Sequence, residues 1–227
     1  GLIFELFPAL TKHRLFGKAR LDMLVFGAMA LGALGLVTGP WLDIGWPSVA
    51  GLTLHTLGTL LLLGAFIRMV VRDRGLRHPG GAHIVTSYLW MLVPTIVAPY
   101  IVAKASESFP VGEVAGNGGP ILIYGWILTF ILAVIPYFFT QVFQPNRATA
   151  LGGSWWGLIA MHLGSLMFWL GLFLPSIQAG LRAGAFFFSF AALLPMLLQL
   201  YARAKAGTER MERASRRIVP GDTVQTD

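Results

Sequence analysis

The stretch PSVAGLTLHTLGTLLLLGAFIRMV, residues 47–70, decides the fold. Its only charged residue, Arg68, lies near its end, and no proline interrupts it after Pro47. About 20 apolar residues in a helix cross the ~30 Å hydrocarbon core of a bilayer. Six runs of this kind follow one another along the chain, at 21–42, 48–71, 83–103, 120–143, 155–174 and 183–202.

Composition supports an integral membrane protein. Of the 227 residues, 56% are hydrophobic and 12% are charged, and the mean hydropathy is +0.69. A soluble domain has a far more even balance. Unpaired backbone groups are not tolerated in lipid, so long apolar runs indicate helices that satisfy their own hydrogen bonds. The sequence therefore predicts an all-α, polytopic bundle of six transmembrane helices over residues 21–206.

Basic residues gather in alternate gaps between the runs. The positive-inside rule places Lys- and Arg-rich connections in the cytoplasm, and so it predicts that both termini are cytoplasmic. The localisation that follows is a bacterial-type cytoplasmic, or inner, membrane. The basic residues on this side are Lys12, Arg14, Lys18, Arg20, Arg72, Arg74, Arg77, Arg147, Arg203, Lys205, Arg210, Arg213, Arg216 and Arg217.

The two ends differ from the membrane runs. Residues 1–20 begin apolar, meet Pro8 and then become basic, so they fit either the last turns of a helix or an interfacial amphipathic segment. Residues 207–227 are polar and mixed in charge, and predict a cytoplasmic tail whose helix ends before Pro220. The net charge of +7 follows from topology. No basic soluble module is present to bind nucleic acid, and the expected partners are the bilayer and other membrane subunits.

Three histidines are the candidate cofactor ligands, because polar residues inside a membrane are costly to place there. His55 lies in the outer part of the second run, while His83 and His162 lie toward the cytoplasmic side. Neutral imidazole ligates both haem iron and copper, and for a bis-imidazole haem His83 and His162 match in depth as an axial pair. The alternative is that each histidine only hydrogen-bonds a neighbouring helix. The chain contains no cysteine, which excludes thiolate ligands.

Several passages resemble a known superfamily. YGWILTFILAVIPYFFTQVFQPNR (124–147), followed by WGLIAMHLGSLMFWLG (156–171), resembles the helix–Pro–basic loop–helix order of the catalytic subunits of haem-copper oxidases and nitric oxide reductases, and of NnrS-type membrane proteins. GLIFELFPALTKHRLFGKARLDML (1–24) is similar to the corresponding stretch of the reductases. HIVTSYLWMLVPTIVAPYIV (83–102) resembles a family helix that begins with a ligand histidine, which implies a haem-ligand role for His83.

The chain also departs from that superfamily. Its members share a metal site of three histidines, two of them adjacent, and a haem-ligating pair on one helix; neither pattern occurs here. The resemblance thus implies half of a twelve-helix protein, or a degenerate member, without a complete active site. If the chain takes part in catalysis, we expect it to be an oxidoreductase subunit.

Three functions follow as expectations. The first is a subunit or part-chain of a respiratory-type complex with haem-linked electron transfer. The second is a structural or interaction subunit without a cofactor. The third is a small-solute permease, which the lack of buried charge in the runs disfavours.

Overall fold

The computed structural model describes residues 2–11, 14–42, 45–72, 77–93, 96–97, 118–143 and 151–218. Within these ranges the chain is helical and no strand occurs, which confirms the all-α prediction. The helices are α1 (Leu2–Thr11), α2 (Ala19–Trp41), α3 (Gly45–Arg72), α4 (Pro79–Leu89), α5 (Gly119–Phe143), α6 (Trp155–Phe173) and α7 (Gln178–Ile218). Short 3₁₀ turns follow α4 at Trp90–Leu92 and precede α7 at Pro175–Ile177.

Five of these helices, α2, α3, α5, α6 and α7, are long and apolar enough to cross a membrane. The third predicted run, 83–103, begins inside α4, and most of its second half lies outside the described residues. The sixth crossing and the location of the termini therefore stay predictions. Helix α7 extends to Ile218, in agreement with the expected helical start of the tail.

Helices α2 and α3 form a tight antiparallel pair through glycines. A Cβ atom placed on Gly32 would lie 2.5 Å from the backbone nitrogen of His55, and one on Gly35 would lie 2.6 Å from the carbonyl oxygen of Pro47. A Cβ on Gly51, across the interface, would lie 2.7 Å from the backbone nitrogen of Leu36. Only glycine allows the two backbones to approach this closely.

A second unit comprises α5, α6 and α7. Helix α7 is antiparallel to α6, and a Cβ on Gly164 of α6 would lie 2.9 Å from the Ala185 carbonyl oxygen of α7. Arg203 of α7 donates hydrogen bonds to the Pro136 carbonyl and the Thr140 hydroxyl of α5. Pro136 has no N–H to donate within α5, and the arginine holds this turn of α5 to α7.

The amino-terminal segment packs onto the same bundle. Ile3 and Leu6 of α1 are buried in its core. The backbone N–H of Phe16 donates to the Asp22 carboxylate at 3.1 Å, in the first turn of α2. Arg68 of α3 donates to the Leu15 carbonyl at 2.8 Å. These bonds hold residues 14–18 at the end of the bundle where α2 begins and α3 ends, which we call the basic end.

The glycine contacts of α2 give a first prediction. We expect Gly32→Ala to lower the free energy of unfolding by about 1–3 kcal/mol, because its methyl group would overlap the backbone of α3. Gly27→Ala is the matched control on the same helix, since a Cβ there meets nothing within 4 Å and alanine favours a helix. Thermal unfolding in detergent compares the two variants. Equal stability of both would contradict the close approach.

Candidate functional site

His83 and His162 lie on neighbouring helices near the basic end of the bundle. They are carried by α4 and α6, which run parallel, so residues at similar distances from each helix start face one another. Thr86, one turn after His83, contacts His162 directly. A Cβ on Gly157 of α6 would lie 3.8 Å from Nε2 of His83. The structure thus brings together the two histidines that the sequence places at matching depth.

His162 uses both of its ring nitrogens in hydrogen bonds to one neighbouring segment. The indole Nε1–H of Trp90 donates to Nδ1 of His162 at 2.9 Å. On the other side of the ring, Nε2 lies 2.8 Å from the hydroxyl oxygen of Thr86, and this hydroxyl donates its own hydrogen to the Ala82 carbonyl at 2.7 Å. The proton of His162 therefore sits on Nε2. This chain of bonds, from Trp90 through His162 and Thr86 to Ala82, ties α6 to α4, and we call it the His162 tie.

The position of Trp90 is set by an irregular turn of α5. The rings of Trp90 and His162 are inclined by 18°, with centroids 6.1 Å apart, as expected for a hydrogen bond in the ring plane rather than face-to-face stacking. Residues 123–128 of α5 form a π-helical turn. Within it, a Cβ on Gly125 would lie 2.5 Å from the indole of Trp90. Because Gly125 has no side chain, the indole of Trp90 can pack directly against this turn.

His83 is arranged differently, because only one of its nitrogens has a partner. Its side chain is completely buried. Nδ1 lies 2.8 Å from the Pro79 carbonyl oxygen, so Nδ1 carries the proton and donates it. Nε2 then holds a lone pair, and it has no hydrogen-bond partner. A carbonyl that anchors one ring nitrogen while the other stays bare is the arrangement that orients ligating histidines.

Glycines enclose the His83 ring. Gly153 has a φ of +100°, which favours glycine, and a Cβ there would lie 2.9 Å from Nδ1 of His83. Gly157 faces Nε2 from the first turn of α6, whose helix is capped by the Ser154 hydroxyl at 2.9 Å. A Cβ on Gly80 would overlap the Gly152 carbonyl at 2.3 Å. Side chains at these positions would push α4 and α6 apart.

The segment that carries Gly153 is fixed by the turn of α5 around Pro136. Pro136 lacks an N–H, and near this turn the Ala133 carbonyl accepts a hydrogen bond from the Gly152 N–H at 2.8 Å. Gln199 of α7 donates to the Gly153 carbonyl at 3.3 Å. The surroundings of His83 therefore depend on three other helices.

The pair fits haem only in part. His83 offers a bare nitrogen, but that nitrogen faces the first turn of α6. His162 could ligate iron only after losing its bond to Trp90 or to Thr86. As placed, the two imidazoles do not form an axial pair, and haem ligation stays a prediction. In the described part of the chain, no group of three or more histidine or carboxylate side chains could hold a metal ion.

No protein-family model, curated protein or solved structure matches this chain. A helical bundle alone supports many functions.

His55 lies apart from the pair, in the interface of α2 and α3. Its ring is buried and faces the carbonyls of Met29 and Met91, yet neither nitrogen reaches hydrogen-bond geometry. Thr59, one turn on, is also buried with an unpartnered hydroxyl. His55 and Thr59 thus lie on one face of α3, but they do not join the site at His83.

Sequence reasoning missed the residues that complete the His162 tie. Thr86 and Trp90 follow His83 by three and seven residues, a spacing that puts all three on one face of a helix. That spacing could have indicated them. The partner nitrogen on α6 could not be found this way, because it depends on how α4 and α6 are aligned.

The His162 tie gives a second prediction. Thr86→Val keeps the shape of the side chain but leaves the N–H of the half-buried His162 without an acceptor, so we expect a loss of about 1–2 kcal/mol in the free energy of unfolding. Thr86→Ser keeps the acceptor and is the control. Equilibrium unfolding in mixed micelles measures both. A Thr86→Val protein as stable as the Thr86→Ser protein would contradict the assigned bond.

Proposed function

We propose that this chain is a structural and interaction subunit, or part-chain, of a respiratory-type membrane complex, with its basic end in the cytoplasm of a bacterial-type cell. The respiratory setting rests on the resemblance described above, and the orientation on the positive-inside rule. The observation that carries the proposal is the exposed face of α7.

Large apolar side chains follow that face at alternating intervals of three and four residues. They form a row that we call the α7 seam, made of Phe187, Phe190, Leu194, Leu197 and Tyr201. Each is 54–68% exposed. Any apolar surface is compatible with lipid, but this spacing is the one by which helices interlock side by side. The α7 seam is therefore suited to a helix of another subunit.

The rest of the bundle supports a scaffold role. Only 22% of the apolar window of α7 is buried, against 50% in α6, so α7 lies at the edge and offers most of its surface. On its other side α7 is held to α5 by Arg203. A rigid edge helix can fix a neighbour in position.

A third prediction tests the α7 seam. We expect the double variant Phe190→Ala and Leu197→Ala to lose the larger complex that mild detergent extracts from native membranes, while the isolated chain stays folded, because more than half of each side chain is exposed in the isolated chain. Leu57→Ala with Leu61→Ala is the matched control, on an exposed face of α3 (54% and 55% exposed). Native gel electrophoresis measures the complex. If both doubles assemble equally, or the wild-type chain runs alone, the proposal fails.

One observation favours haem-linked electron transfer as a second candidate. The buried Nε2 of His83 carries a lone pair that has no hydrogen-bond partner. A haem bound there would supply one-electron transfer chemistry. The chain's own contribution would be the Pro79 carbonyl, which holds the ring in the tautomer with Nε2 free.

An absorption spectrum of the protein purified with its complex provides the fourth prediction. If His83 ligates haem, we expect a Soret band that His83→Ala removes and that His55→Ala leaves in place, since His55 lies in another interface. A colourless, fully assembled preparation would contradict the haem candidate and leave the scaffold proposal standing.

A further inference from the structure

A groove at the basic end lies between α3, α4 and the first residue of α6. Its volume is about 360 Å³, within the range of sites that bind small molecules. We call it the α3–α4 groove. Its walls are aliphatic and are formed by Ile67, Val70, Val71, Ala82 and Val85. Ile67 and Val71 are more than half exposed, so the groove is open along its side.

Arg77 stands at the mouth of this groove and is held in place. Its guanidinium donates to the carbonyls of Val70 and Val71, in the last turn of α3. Basic side chains stabilise helix ends in this way. Two of its three nitrogens are used in these bonds, while the residue as a whole stays exposed. A fixed positive charge is therefore presented at the mouth.

The other polar groups at the mouth are also hydrogen-bond donors. Nδ1 of His78 accepts from the backbone N–H of Gly80 at 3.1 Å, so its proton is on Nε2. Burial lowers the pKa of His78, which keeps the ring neutral near pH 7. Trp155 has only an indole N–H to offer. The mouth thus favours a group that accepts hydrogen bonds and carries negative charge.

The inner end of the groove offers no donor. Thr86 lines it, but the hydroxyl hydrogen of Thr86 is already given to Ala82. On the α4 side the lining residues run from the cap residue His78 to Thr86, eight positions further along, so the groove extends about 12 Å along α4. A polar head would therefore lie at Arg77, and an aliphatic chain would lie inward.

We infer that the α3–α4 groove binds an anionic phospholipid, with its phosphate at Arg77 and His78 and one acyl chain along the aliphatic walls. Charge complementarity supports this occupant, because the connection RDRGLR (72–77) carries three arginines and one aspartate. Anionic lipid heads are attracted to basic residues that flank membrane helices. The aliphatic walls favour an acyl chain, and Arg77, held in place by its hydrogen bonds, favours a negatively charged headgroup.

The fifth prediction uses native mass spectrometry of the full chain in detergent, with added phosphatidylglycerol or phosphatidylcholine of identical acyl chains. We expect phosphatidylglycerol to be retained preferentially. Arg77→Gln should weaken its binding about tenfold, the effect of losing one charge-assisted contact. Arg72→Gln is the control, because Arg72 lies at the same end but does not line the groove.

A second variant keeps the test decisive if Arg77→Gln unfolds the end of α3. Val85→Trp fills the groove and should reduce binding of phosphatidylglycerol, whereas Val142→Trp, at an exposed position of α5, should not. Equal retention of the two lipids would overturn the inference, as would unchanged binding in Val85→Trp. Binding of inorganic phosphate with no retention of either lipid would also overturn it, since the site would then recognise phosphate alone.

Discussion

Helices in a bilayer gain little from leaving lipid for one another, because the lipid tails are as apolar as their own side chains. Close backbone contact therefore holds such a bundle together. Here that contact is made by glycines: Gly32 and Gly51 join α2 to α3, and Gly164 joins α6 to α7. Where the backbones come close, polar side chains can reach across, and the His162 tie depends on that proximity.

Much of the architecture could be predicted from the sequence, since apolar runs of fixed length read directly as helices. The runs at 48–71 and 155–174 correspond to α3 and α6 within a few residues. The run at 83–103 is different: α4 ends at Leu89 and a 3₁₀ turn follows at Trp90, which the apolar composition of the run does not indicate. The π-helical turn at Ile123–Leu128 could not be predicted either, because the sequence there is one uninterrupted apolar run.

The candidate site shows how much chemistry depends on hydrogen-bond partners rather than on residue type. The sequence indicated His83 and His162 as equivalent imidazoles, but α4 and α6 give them opposite surroundings. Both ring nitrogens of His162 are hydrogen-bonded, Nδ1 to Trp90 and Nε2 to Thr86, so the lone pair on Nδ1 is already engaged. His83 keeps a bare nitrogen in a space shaped by glycines. No sequence pattern distinguishes these states, because helix alignment decides them.

The enclosure of His83 also has a consequence for biogenesis. Its ring lies on α4, but the glycines around it come from the start of α6, and Gln199 of the last helix holds Gly153 in place. A ribosome releases these segments one after another. The polar face of α4 therefore meets its partners on α6 only about 70–80 residues later, and Gln199 follows more than a hundred residues after α4. His83, the candidate ligand, is thus fully buried only when the last helix has been synthesised and has packed.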